Sequence, residues 1–125
     1  MAQLDTVRPV LTSADVIGIQ DEVTRVRVDD ALVEYTMAIV SRTRESAYLS
    51  LGVSPRGGIM LYRAAQGQAF LDGRTFATPD DFKALAVHVF AHRVVVSGRY
   101  STTLKKTQQG EEILREIVDS TPVPV

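Results

Sequence analysis

The sequence predicts an all-α fold, a bundle of about five helices with at most a very short extended pairing. Three observations carry this. Apolar residues recur at three- and four-residue spacing in successive stretches. Those stretches open on capping residues, two of them followed by proline at the first helical position. There is no internal repeat or low-complexity tract, and 125 residues at 45% hydrophobic and 23% charged suit one globular domain.

Residues 1–11 lack periodicity, and Pro9 favours extended backbone at Arg8, so they read as an entering tail or linker. Thr12 or Ser13 then caps a first helix over about 14–25, with Asp15 in its first turn and Val16, Ile19, Val23 and Val26 forming an apolar face. Asp29 caps a second helix over 30–45, in which Val28 and Val33 occupy the positions of a hydrophobic staple. Leu32, Tyr35, Ile39 and Val40 make its inner face.

Ser54 and Pro55 start a third helix that runs to about Asp72 and stops at Gly73. It is apolar or small around most of its circumference, as expected of the helix at the centre of a bundle. Arg56, Arg63 and Gln66 are the exceptions and fall on one stripe. Thr78-Pro79-Asp80-Asp81 starts the fourth helix, whose core face is Phe82, Leu85, Ala86, Val89 and Phe90. Val94-Val95-Val96 suits a short strand. Residues 98–109 read as a polar loop, and 110–125 as a last helix, from Glu111 to Asp119, with a proline-containing tail. The helical domain proper spans 12–97, and the last helix belongs to it.

A net charge of −1 gives no reason to expect nucleic acid or an anionic membrane as partner, which weighs against a helix-turn-helix reading of the third and fourth helices. No cysteine is present, so thiolate chemistry is excluded and a reducing, cytoplasmic compartment is expected. No apolar run is long enough for a membrane span. The chain carries no phosphate loop, paired magnesium-binding acids or nucleophile elbow, so alone it should not hydrolyse a nucleotide. His88 and His92 stand four apart but lack a signalled third ligand, so no metal site is expected. The paired acids at 29–30, 80–81 and 111–112 are explained by helix starts.

Arg56 is the residue that does not fit. It places a cation at the positive end of a helix dipole, and Gly57 and Gly58 after it each cost about 1 kcal/mol against alanine. Either Arg56 pairs with an acid of a neighbouring helix, or it meets a phosphate together with the first amides, on a turn kept slim by Gly52, Gly57 and Gly58.

An ordered set of motifs bears on that choice. Leu51-Gly52-Val53-Ser54-Pro55-Arg56-Gly57, Leu61-Tyr62-Arg63-Ala64-Ala65, Gly73-Arg74, Thr78-Pro79-Asp80-Asp81 and Ala91-His92-Arg93 together resemble the C-terminal lid of MoxR-type AAA+ ATPases, over about residues 10–97. The resemblance implies that Arg56 is the sensor 2 arginine, with Ser54, Pro55, Arg56 and Gly57 forming the nucleotide-facing turn. It implies ATP and magnesium as cofactors held by an α/β core that this chain lacks, ring neighbours as partners, and a chaperone-like motor often working with von Willebrand factor A domain proteins. Gly58 stands where the family often has alanine. The competing expectation is a free-standing helical adaptor that binds a protein through an apolar groove.

Overall fold

The computed structural model describes residues 5–98 and 104–124. Five α-helices are seen among them: α1 (Ser13–Thr24), α2 (Asp30–Glu45), α3 (Pro55–Leu71), α4 (Pro79–Phe90) and α5 (Lys106–Ser120). A 3-10 turn, Ala91–Arg93, extends α4. Two short strands, β1 (Leu49–Leu51) and β2 (Val95–Val96), pair antiparallel with Leu49 opposite Val96. The all-α expectation holds, with the extended pairing as small as expected.

Helix α3 lies at the centre, packed against α4, α2 and α1. Its Leu61, Ala65 and Ala69 are fully buried and meet Ile39 and Val40 of α2, Phe82, Ala86 and Phe90 of α4, and Leu114 and Val118 of α5 in one core. Small residues on α3 let its neighbours approach closely, while Phe82 and Phe90 supply the bulk that fills the centre. The end of α3 is a glycine-terminated cap. Gly73 has φ +77°, its amide donates to Phe70 O at 3.0 Å, and Arg74 N donates to Ala69 O at 2.9 Å, the two bonds of a Schellman motif.

Three expectations need correction. The apolar face expected for the first helix enters the core only at its end: Val26, just past α1, is buried in the core and Val23 is half-buried, whereas Val16 and Ile19 are exposed. Periodicity marks a face able to be covered, and the part of it at Val16 and Ile19 is left uncovered among the described residues. The last helix begins at Lys106, not Glu111, so the polar stretch expected as a loop over 98–109 is partly helical; its residues 99–103 lie outside the described ones. Lys and Gln are good helix formers, and Gly110 is buried where α5 crosses Val94 and Val96. Finally, Gln66 does not share the exposure of Arg56 and Arg63, with which spacing aligns it. It is buried, and its Nε2 donates to Val26 O at 2.9 Å and Thr24 O at 3.4 Å, pinning the C-terminal end of α1 to α3.

Candidate functional site

The turn into α3 is built by three close approaches. Thr43 Oγ1 accepts from Val53 N at 2.9 Å and donates to Val40 O at 2.6 Å, which ties the fully buried Val53 to the last turn of α2. Gly52 crosses that same turn so tightly that a Cβ there would lie 2.7 Å from the backbone of Thr43 and Arg44. At Gly57 a Cβ would meet Val53 Cγ1 at under van der Waals distance and Arg93 Cδ at 3.4 Å. Gly52 and Gly57 are therefore demanded by packing inside the domain. Gly58 faces Thr36 and Val40 at ordinary contact distance, so an alanine would fit there.

On this braced turn Ser54 is the N-cap, Pro55 the first helical residue and Arg56 the second. All three are exposed, whereas Gly57 is buried. Ser54 has the extended backbone of a cap (φ −78°, ψ 162°), yet its side chain makes no capping bond, contrary to the expectation from its type. The Gly57 amide closes onto Ser54 O at 2.9 Å, so the turn is formed by backbone alone. Among the described residues Arg56 has neither a hydrogen bond nor an ion pair, and the expected structural acid partner is not found. The helix thus presents an uncapped positive end with an unpaired guanidinium on it, which favours an anion.

Arg63 is exposed, further along the same helix. Between α2 and α3, with Arg63 at its wall, lies an open apolar groove of about 290 Å³, lined also by Val33, Met37, Pro55, Ile59 and Tyr62. His88 and His92 are both exposed, and no group of residues able to hold a metal ion occurs among the described residues. What residue types alone did not reveal is the bracing: Thr43 as the anchor of Val53, and the stem of Arg93 lying over Gly57. The only signal for either was an unexplained glycine.

Five helices packed round a central one, with a braced and exposed helix start, make the architecture of a lid-type helical domain. Comparison with known proteins agrees with that class. The family model described as AAA lid domain matches residues 41–117. The uncharacterized protein YeaC of Bacillus subtilis is 40% identical over 122 residues, covering 98% of this chain and 37% of that protein. Protein MoxR of Methylorubrum extorquens is 36% identical over 73 residues, which is 58% of this chain and 21% of that one. A crystal structure of a candidate ATPase from Cytophaga hutchinsonii superposes with a TM-score of 0.83 at 25% identity, covering 95% of this chain and 38% of that one. The chain belongs to the AAA lid domain family, as a lid of the MoxR type. It spans between about a fifth and two fifths of the length of the relatives it matches.

Proposed function

We propose that the chain serves as the C-terminal lid of a MoxR-like AAA+ ATPase and that Arg56 is its sensor 2 arginine. The observation that carries this is the exposed, unpaired guanidinium at the second position of an uncapped helix. Such a group at the positive end of a dipole is unfavourable until an anion arrives. ATP and magnesium, held by an α/β core outside this chain, would supply that anion and the hydrolysis chemistry. Arg56 binds the phosphates in one nucleotide state and loses the contact in another, and only such a difference can bias the angle of the lid. The brace of Gly52 and Val53 on Thr43 would carry the contact into α2, to which the turn is tied.

In a complete ATPase carrying this lid, Arg56→Ala is expected to lower nucleotide affinity or turnover by about tenfold or more, the worth of one charge-assisted contact. Unchanged turnover together with unchanged nucleotide affinity would remove the sensor role. A chaperone-like task in a ring, a cytoplasmic setting and a von Willebrand factor A domain partner belong to the same reading; Chaperone MoxR1 of Mycobacterium tuberculosis, 26% identical over 99 residues, supports the first by its name. No helix among the described residues is long and apolar enough to cross a membrane. The apolar groove between α2 and α3 favours the second reading, a free-standing adaptor. That reading calls for a partner bound by this chain with no ATPase core joined to it.

A further inference from the structure

The attachment of the chain to the bundle changes abruptly at Arg25, the residue that caps the end of α1. After it, Val26 is buried in the core and its carbonyl accepts from Gln66 Nε2 at 2.9 Å. Arg27 N then donates to Thr75 O at 2.9 Å and Arg27 O accepts from Ala77 N at 2.9 Å, which fastens this connection to the segment before α4. Before Arg25, every residue of α1 except the half-buried Val23 is exposed. Among the described residues, the one hydrogen bond joining α1 to another of the five helices is the long one from Gln66 Nε2 to Thr24 O, at 3.4 Å. An open cleft of about 220 Å³, lined by Glu22, Arg25, Val26, Phe70, Arg74 and Thr75, loosens the packing at the same end.

A helix of 12 residues is marginal by itself in water. Gly18 weakens it further from the middle, and with nothing within 4 Å of where its Cβ would be, no close approach accounts for the glycine. A segment with so few buried apolar contacts opens locally, at a free energy well below that of global unfolding. Gln66 Oε1 is buried without a partner among the described residues, so an opening that admits water to it recovers part of what the lost bond to Thr24 costs. We propose that α1 is a strap that detaches and unravels as a unit about a hinge at Arg25, while α2 to α5 stay folded. The rigid body of the domain is then α2 to α5, and a force on the chain ahead of α1 is taken up at Arg25 before it reaches the core. The hinge is independent of the phosphate reading of Arg56.

The test is native-state hydrogen exchange of this chain, followed amide by amide by NMR. Relative to their intrinsic rates, the amides of Ile17 to Thr24 are expected to exchange at least about a hundredfold faster than those of Leu61, Ala65 and Ala86 in the core. Gly18→Ala should slow the α1 amides about fivefold, the worth of alanine over glycine in a helix. Ile113→Val, a mild change in the buried face of α5, should speed the core amides about fivefold and leave those of α1 unaltered, because α1 opens without the core. Three results overturn the strap: α1 amides as protected as those of Leu61 and Ala65, α1 amides quickened by Ile113→Val as much as the core, or α1 amides indifferent to Gly18→Ala. Each of them leaves the sensor reading of Arg56 as it was.

Discussion

The starts of α3 and α4 are written almost alike, as a hydroxyl residue followed by proline: Ser54-Pro55 and Thr78-Pro79. Their next residues diverge, and so does their physics. In α4, Asp81 is 5% exposed and fully employed. Its Oδ2 accepts from Thr78 N at 2.8 Å and from Arg74 Nη1 at 2.7 Å, and its Oδ1 accepts from Arg74 Nη2 at 2.7 Å. Arg74 also reaches Asp72 at 2.9 Å and Phe76 O at 3.1 Å. This start is closed, with acids on the positive end of the dipole and Asp81 paired with Arg74. In α3 the position of Asp81 is held by Gly57 and that of Asp80 by Arg56, uncapped and unanswered. A start that is complete within the domain holds the fold together, and one left incomplete is available for something outside it.

That contrast is broken most severely at Asp81. Asp81→Ala removes both halves of the two-pronged pair and the bond to Thr78 N, and is expected to cost about 3 kcal/mol, in the range for losing hydrogen bonds to a nearly buried charge. Chemical denaturation of the variant measures it, and a loss under 1 kcal/mol would mean the pair is ornamental. Acid should show the same interaction. The Arg74 guanidinium, more than burial opposes it, holds the Asp81 carboxyl below its ordinary 3.8. A lowered folded-state pKa means stability that is present above the unfolded value and lost as pH falls through the folded one. The extra acid sensitivity therefore belongs below about pH 3.8, and Asp81→Ala should lack it.

How far the sequence could be read follows the same division. The start of α4 was legible because its signals are local: a cap, a proline and acids within four residues. The stop at Gly73 was legible for the same reason, and its positive φ confirms why a glycine stands there. The arginine of the α3 start was legible as an anomaly, again a local matter. What escaped was long-range. Gln66 looked like part of a polar stripe because helical spacing gives an angle and says nothing of what lies opposite; here two backbone carbonyls at the end of α1 draw the amide inward. The glycines of the turn looked like clearance for a ligand because the residues they approach, Arg44 and Arg93, are set by tertiary packing. The first turns of α1, at Val16 and Ile19, looked like core because periodicity does not say how far along a face the partner reaches.

The second way to sharpen the comparison uses those glycines. Gly57→Ala forces a methyl onto Val53, which is fully buried and tied to Thr43, so the turn must shift; a loss of about 1–3 kcal/mol is expected. Gly58→Ala meets only ordinary contacts with Thr36 and Val40 inside a helix, and should instead gain about 0.5–1 kcal/mol. Thermal unfolding of the two variants side by side decides it. Equal behaviour at 57 and 58 would show that the brace under Arg56 is softer than its geometry indicates.

The smallest expected effect is the most telling, because its sign runs against the usual direction of mutation. Arg56→Asp gives α3 the acid that α4 carries at its own second position, Asp80, and removes a cation from the positive end of a dipole. No partner is lost among the described residues, since Arg56 has none. The isolated chain is expected to gain about 0.3–1 kcal/mol, an effect that added salt should shrink. An ATPase carrying the same change should lose nucleotide affinity, because the phosphate would now face a carboxylate. Stability and function would then move in opposite directions at one residue, as expected where a site is kept at the expense of the fold. If Arg56→Asp instead destabilised the chain by 1 kcal/mol or more, Arg56 would have an internal partner, and the open start of α3 would be as structural as the closed start of α4.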